Sequence, residues 1–352
     1  MSAHDSPSQN SSLTSYDGVA AFTASNSASG APVASSFGSP TVLTIGNFDG
    51  VHIGHQELIR QAVQKARGFG VPSVVFTFEP HPLMVLRPEL KLKRLFDVDD
   101  RREQFEKLGV DILVVEPFSR SFSQLTPEKF LIENVIRPFQ PRAVVVGYDF
   151  SFGANRSGGI DFLNSHAASG SAHTKIFDVE VVPPVKIEIG GQPTIVSSTR
   201  IRQAIGDGHP EVARKLLGRP YMLRGMVRKG AGRGRTIGFP TANIEPTVES
   251  GVKPGVYAAI AKVRGRSLVA MVNIGTNPTF EGSHSVTMHI EAHLPHYDGL
   301  KEGELYGETI ELGFIERIRD EKKFSGVAEL VTQIRADIDR GVEILAREGI
   351  TK

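Results

Sequence analysis

The chain reads as an α/β domain followed by a β domain that ends in a helix, and three patterns carry that reading. Between residues 41 and 185, short apolar runs alternate with stretches of helical spacing, as in parallel strands joined by helical crossovers. Beyond Pro220, strand-like segments follow one another between glycine, proline and asparagine turns, which favours an antiparallel barrel. The chain closes on a sequence with one apolar stripe at helical spacing.

Residues 1–40 hold 12 serines and no lysine or arginine. They lack the basic start of a secretory signal and the arginines of a transit peptide, and they read as a disordered tail. At Thr41 the pattern changes to the apolar run TVLTIG, a glycine loop, and GHQELIRQAVQKARGFG. In the last of these, Leu58, Ile59, Ala62, Val63 and Ala66 fall on one helix face and Gly68 and Gly70 stop the helix. SVVFTF (73–78), a charged helical stretch (99–108), DILVVE (111–116), a helix opening at Thr126-Pro127 and AVVVG (143–147) continue the alternation. The loops at the carboxyl ends of such strands converge on one crevice, where open α/β sheets bind ligands.

That domain is expected over 41–185. A turn-rich linker with VSSTRIRQAI and a short helix (211–217) fills 186–220, and the second domain takes 221–352. Its strand-like segments are YMLRGMVR, GVYAAIAKV, SLVAMVNIG, SVTMHIEAHL and ETIELGFI. Val327, Leu330, Ile334, Ile338, Val342 and Leu345 then form the closing stripe, with Ser325 as its expected cap.

At 352 residues, 40% hydrophobic and a net charge of +1, the chain has room for about two domains. It lacks the basic footprint of a nucleic-acid partner. No apolar run approaches the roughly 20 residues that span a membrane. The absence of cysteine excludes disulfides and thiolate chemistry and suits a cytoplasmic location. Nothing in the sequence sets an oligomeric state.

Two stretches are chemically distinctive. GNFDGVHIGH (46–55) lies between the first strand and the first helix, so backbone N–H groups and the positive helix end of Gly46, Asn47, Phe48 and Asp49 onward face an anion. His52 and His55 are three apart on the opening turn and can both reach phosphate oxygens. A zinc site is the alternative, but no carboxylate or thiol stands at a convincing spacing. The second stretch scatters Arg224, Arg228, Lys229, Arg233 and Arg235 among Gly225, Gly230, Gly232 and Gly234, where cations and close backbone approach suit phosphate. An exposed turn would look similar. GFPTAN then adds the Thr241 hydroxyl and the Asn243 amide, oxygen ligands suited to Mg²⁺ beside phosphates. On TMHIEAHL, alternation puts Glu291 on a face with Thr287, His289 and His293. A carboxylate there is either a base for an alcohol nucleophile or part of a solvated face.

GNFDGVHIGH resembles the (T/H)xGH signature of the nucleotidyltransferase superfamily, and SSTRIR (197–202) resembles its second motif. That likeness implies that Ser198, Thr199 and Arg202 close over the same triphosphate; a helix cap is the plainer reading of the serine and threonine, and both can hold. With FEPHP, VVVGYDFSFG, GRGRTIGFPTANI, GVYAAIA, NIGTNPTF, IEAHL and ELYG in order, residues 41–348 resemble the bacterial bifunctional riboflavin kinase and FAD synthetase family. The resemblance implies a Rossmann-like adenylyltransferase domain and a six-stranded barrel kinase. It also implies Glu291 as catalytic base, His52 and His55 in adenylyl transfer, and Thr241 and Asn243 on Mg²⁺ and ATP. Riboflavin, FMN and FAD would then be substrate, intermediate and product. Two segments depart from the family pattern: LPHYDGLKEGELYG is long, and RLFDVDDRREQF lacks the expected threonines.

Overall fold

The apolar runs of the first half become the strands of one parallel sheet. In the computed structural model, which describes residues 12–28, 40–168, 176–230, 232–278, 286–295, 297, 299–302 and 304–350, the chain divides into two compact units. The first is Met1–Leu92 with Val98–Lys186; the second is Lys93–Asp97 with Ile187–Lys352.

The sheet of the first unit contains β1 (Thr14–Asp17), β2 (Thr41–Ile45), β3 (Ser73–Glu79), β4 (Ile112–Pro117), β5 (Pro141–Gly147) and β6 (Asp178–Val182), in the order β1-β4-β3-β2-β5-β6. All pairings are parallel. From β2 the chain moves to β3 on one side and later returns to β5 on the other, so the order reverses at β2 and opens a crevice at its carboxyl end. Alternate strand residues feed two cores. Val42, Val75 and Val145 pack with Leu58, Ile59, Ala62 and Val63 of the helix Ile53–Phe69. Leu43, Phe76 and Val144 pack with Phe130, Leu131 and Phe139 on the opposite face.

The amino-terminal stretch differs from expectation. Within 1–40, expected to be disordered, Thr14–Asp17 pairs with β4 and Gly18–Ala28 is a helix. Serine-rich composition hides a few anchors: Phe22 is buried and its ring stacks on Phe139 at 4.9 Å. The Val19 N–H donates to Glu116 Oε2 at 2.7 Å. A sheet edge at β4 needs a partner, and four residues suffice to supply it. Residues 1–11 and 29–39 of that stretch lie outside the described residues.

In the second unit, β7 (Lys186–Ile189) and β8 (Gln192–Ile195) form a small sheet, followed by helices Ser198–Asp207 and Pro210–Leu217. The barrel is closed in the order β10-β13-β12-β11-β14-β9, with β9 (Tyr221–Arg228), β10 (Thr241–Pro246), β11 (Gly255–Val263), β12 (Arg266–Pro278), β13 (Val286–His293) and β14 (Thr309–Arg319). Every pairing in it is antiparallel. The sixth strand, β10, is the TANIEP segment, which the strand-like segments expected from the sequence do not include. Leu223, Ala242, Ile274, Ile290, Ala292 and Leu312 are buried along these strands. Lys93–Asp97 belongs to this unit: the Phe96 ring lies 5.6 Å from Tyr221 with Arg219 5.0 Å over it, and Asp97 accepts from the Thr247 hydroxyl at 2.9 Å.

The helix Val327–Arg347 lies against the outside of β11, β12 and β14. Its packed face is not the full predicted stripe. Ile344 and Leu345 are buried with Ile338 beside them, whereas Val327 and Val342 are exposed. What fixes the register is polar. Buried Asp337 takes the Arg319 guanidinium through contacts of 2.7–3.0 Å and a further 2.9 Å bond from Gln333. Gly341 lets the helix close on Met271, whose sulfur would lie 2.1 Å from any Cβ. Nor is Ser325 the cap. Gly326 holds that position, and Glu329 accepts from the Ser325 N–H and hydroxyl, just before the cap, at 3.0 and 2.8 Å. The Ser325 backbone bond, with Lys322 nearby, holds the Glu329 carboxyl at about 2.

Candidate active sites

The first site follows directly from β2. Its five residues are buried, and the chain then turns through Gly46–Val51 into the helix Ile53–Phe69. Phe48 and Val51 adopt φ of 48° and 39°, in a region where bulky residues store strain. Burial of both side chains offsets it, since Phe48 sits edge-on to Phe105 at 5.8 Å and to His55 at 5.3 Å. His52 is the helix N-cap, accepting from the His55 N–H at 3.2 Å. The two imidazoles stack, 3.6 Å apart and 15° from parallel. Burial, and then the neighbouring His52, push the His55 imidazole well below 6.5, so it is a neutral donor or acceptor at pH 7. Among the described residues its Nδ1 is buried without a hydrogen-bond partner. Such an atom is out of place in a packed core and in place at a ligand site.

Gly46, Asn47, Phe48 and Asp49 thus form one turn at the crevice, with Asn47 exposed and Asp49 buried. A residue the sequence reading passed over supports it from behind. Arg101, 4% exposed on the helix Val98–Lys107, donates to the Asn47 carbonyl at 3.0 Å, the Thr77 hydroxyl at 3.2 Å and Glu79 at 2.7 Å. Nothing in VDDRREQFEK marks that arginine, because its partners are 22 to 54 residues away. His81 caps a short helix after β3, its Nδ1 accepting from the Leu83 N–H at 3.2 Å.

Ser198, Thr199 and Arg202 lie on the helix Ser198–Asp207 of the second unit. The cap is Ser197, one residue before the expected pair, and its hydroxyl accepts from the Arg200 N–H at 3.3 Å. Arg202 Nε donates to the Lys93 carbonyl at 2.9 Å.

The second site is built by strand register. Asn243 on β10 is directly opposite Glu291 on β13, Glu291 is opposite Asn273 on β12, and Asn243 is opposite Arg228 on β9. Residues opposite each other share a face, so one row crosses four strands. It lies outside the barrel, because Ile290 and Ala292, which flank Glu291, are buried. Thr241, two residues before Asn243, shares the face. Gly230 is indispensable to the arrangement: a Cβ there would lie 2.1 Å from Asn243 Nδ2. Gly232, at φ 69°, opens the turn Arg233–Thr236, and Gly234 passes within 2.3 Å, measured from where a Cβ would be, of the Phe239 carbonyl. Among the described residues no hydrogen bond or ion pair occupies the Glu291 carboxylate.

Among the described residues, no group of three histidines, cysteines or carboxylates could hold a metal, so neither the zinc alternative at His52 and His55 nor a cluster of His289, Glu291 and His293 is formed there. His293 instead pairs through Nδ1 with the Pro240 carbonyl at 2.8 Å. Burial pushes its imidazole down, opposed by that bond.

A parallel sheet with a histidine pair at its switch point, carried on one chain with a barrel that aligns an amide and a carboxylate, defines a two-domain transferase acting on phosphate groups. Residues 35–200 match the FAD synthetase family model and residues 217–345 the riboflavin kinase model. The chain belongs to the family of bifunctional riboflavin kinase/FMN adenylyltransferases. The relative of that name from Listeria monocytogenes is 39% identical over 84% of this chain and 90% of its own. Those from Bacillus subtilis and Escherichia coli K12 are 36% and 35% identical, over 84% and 88% of this chain and 90% and 94% of theirs. A solved structure titled macrolide-efflux protein, from Streptococcus pneumoniae, is 34% identical, covers 93% of this chain and 97% of its own, and has a TM-score of 0.77. That title is its own; both family models and the curated relatives agree on the flavin activities. Among the described residues no helix is long and apolar enough to cross a membrane.

Proposed function

We propose that the two activities of this family are divided between the two units, with Glu291 as the base of the kinase and His52 and His55 as the phosphate-binding pair of the adenylyltransferase. In the barrel, Glu291 accepts the proton of the riboflavin ribityl hydroxyl as its oxygen attacks the γ-phosphorus of ATP, giving FMN and ADP. Thr241 and Asn243 fit Mg²⁺: both are neutral oxygen donors on one face, Gly230 leaves the amide its space, and the phosphates complete a site of the kind Mg²⁺ takes. When bound, the ion neutralises charge on the β- and γ-phosphates. Gly232 and Gly234 bring backbone close to the same nucleotide.

In the first unit the FMN phosphate attacks the α-phosphorus of a second ATP, and pyrophosphate leaves. That nucleophile is already anionic and needs no base, so positioning and charge stabilisation carry the step. Gly46, Asn47, Phe48 and Asp49 hold the nucleotide at the turn, and His52 and His55 donate to its phosphate oxygens. The cysteine-free composition suits a cytoplasmic enzyme, with riboflavin, FMN and ATP as its small-molecule partners.

The observation that carries this reading is the separation of the groups: the unpartnered histidine is in one unit and the aligned carboxylate and amide in the other. It is tested by incubating the full chain with riboflavin, ATP and Mg²⁺ and resolving flavins by chromatography. Glu291→Gln is expected to stop FMN formation yet still convert supplied FMN to FAD; His52→Ala is expected to do the reverse. Loss of both products from one folded variant, or flavin binding without any product from the natural chain, overturns it.

A further inference from the structure

We infer that Arg101 is a positioning residue for adenylyl transfer, acting through the Asn47 carbonyl to fix the phosphate turn; this rests on the proposed role of the first unit. The turn begins where β2 ends, and side chains outside it hold its Asn47 carbonyl. Arg101 Nη1 reaches it at 3.0 Å, and the Thr77 hydroxyl reaches the same oxygen at 3.3 Å. The guanidinium is held in turn by Thr77 at 3.2 Å and Glu79 at 2.7 Å, both on β3. Two donors from two elements, the helix Val98–Lys107 and β3, thus converge on one oxygen.

The next residue is Phe48, in the left-handed region. The direction of the Asn47 carbonyl sets the orientation of the peptide that leads into that strained residue. Phe48 lies between Phe105, one turn beyond Arg101 on the same helix, and His55. The helix Val98–Lys107 therefore grips the turn at two points, a carbonyl and a ring, and the ring abuts a proposed phosphate ligand. Arg101 is 4% exposed and its charge is matched by Glu79 at 2.7 Å. Its contribution is geometric, and a planar fork with several donors serves two acceptors in a way that a lysine cannot.

Displacing a reacting group by about 1 Å lowers rates on the order of 100-fold. Arg101→Lys, which keeps the charge but not the fork, is expected to lower kcat for FAD formation from FMN and ATP about 10-fold. Thr77→Val, close in shape, is expected to lower it about threefold to 10-fold. Because both act through one oxygen, the double variant is expected to be no slower than the worse single one. FMN formation from riboflavin stays within twofold of the natural chain throughout. Rates within twofold for both single variants, effects that multiply in the double variant, or a raised KM for ATP at unchanged kcat would each overturn the inference. Failure of the natural chain to make FAD at all would instead defeat the functional reading beneath it.

Discussion

Gly230→Ala isolates the second site with a single methyl group. At this position φ is not positive, so alanine meets no backbone strain, but its Cβ would fall 2.1 Å from Asn243 Nδ2 and 2.4 Å from Cγ. Ordinary contact begins near 3.4 Å, so the amide must swing away by more than about 1 Å, a displacement that lowers rates on the order of 100-fold. The obstruction is a side-chain end, which can move to another rotamer for about 0.5–1.5 kcal/mol. The variant should therefore fold with near-normal stability while its kinase fails. Initial rates of FMN formation from riboflavin and Mg-ATP are expected to drop about 100-fold, with FAD formation from supplied FMN unchanged as an internal control. A kinase rate within twofold of the natural chain, at unchanged thermal stability, would refute the assignment of Asn243 to the nucleotide site.

Three further outcomes are expected. Phe22→Ala should destabilise the first unit by about 3 kcal/mol, because a buried stacked ring is lost; a urea midpoint that does not move would show that Gly18–Ala28 adds nothing to that unit. Asp337→Ala leaves Arg319 without its partner and should cost about 3 kcal/mol in the unfolding of the second unit, measured by denaturant titration; a loss under about 1 kcal/mol would show that the ion pair does not hold the helix. The folded His55 imidazole lies below the unfolded value of 6.5. The unfolded chain then takes up a proton that the folded chain refuses, so this part of stability is complete above about pH 6.5 and falls as acid is added. The urea midpoint of the natural chain should drop relative to His55→Gln between pH 7 and 5, and parallel curves would contradict it.

The elements that carry the proposed sites were legible where local pattern and chemistry coincide. The run TVLTIG, the glycine turn and the helical spacing after His55 put an anion site between a strand and a helix, and the fold has that order. Alternation on TMHIEAHL put Glu291 on the face opposite Ile290 and Ala292, and the burial of those two agrees. Register was not legible: that Glu291 faces Asn243 and Asn273 depends on how separate strands pair, which no local pattern states. Arg101 was hidden for a similar reason, as a charged residue on a charged helix gives no sign of the carbonyl it meets. The strand Thr14–Asp17 escaped because four residues amid serines carry no period, and only the free edge of β4 gives them a place. The closing helix was read as an apolar stripe, whereas Asp337 and Gly341 set its seat.

The five residues Lys93–Asp97 give the chain a thermodynamic seam. Leu92 and Val98, on either side of them, both belong to the first unit, while Phe96 packs on Tyr221 in the second. A chain cut to begin at residue 187 would leave Tyr221 and Arg219 without that ring. Conversely, when the first unit unfolds, its two ends at this segment lose their anchors, and the segment is held only by the second. A single cut near residue 187 therefore does not part the two units cleanly, because five residues of the second lie on the amino-terminal side of the cut.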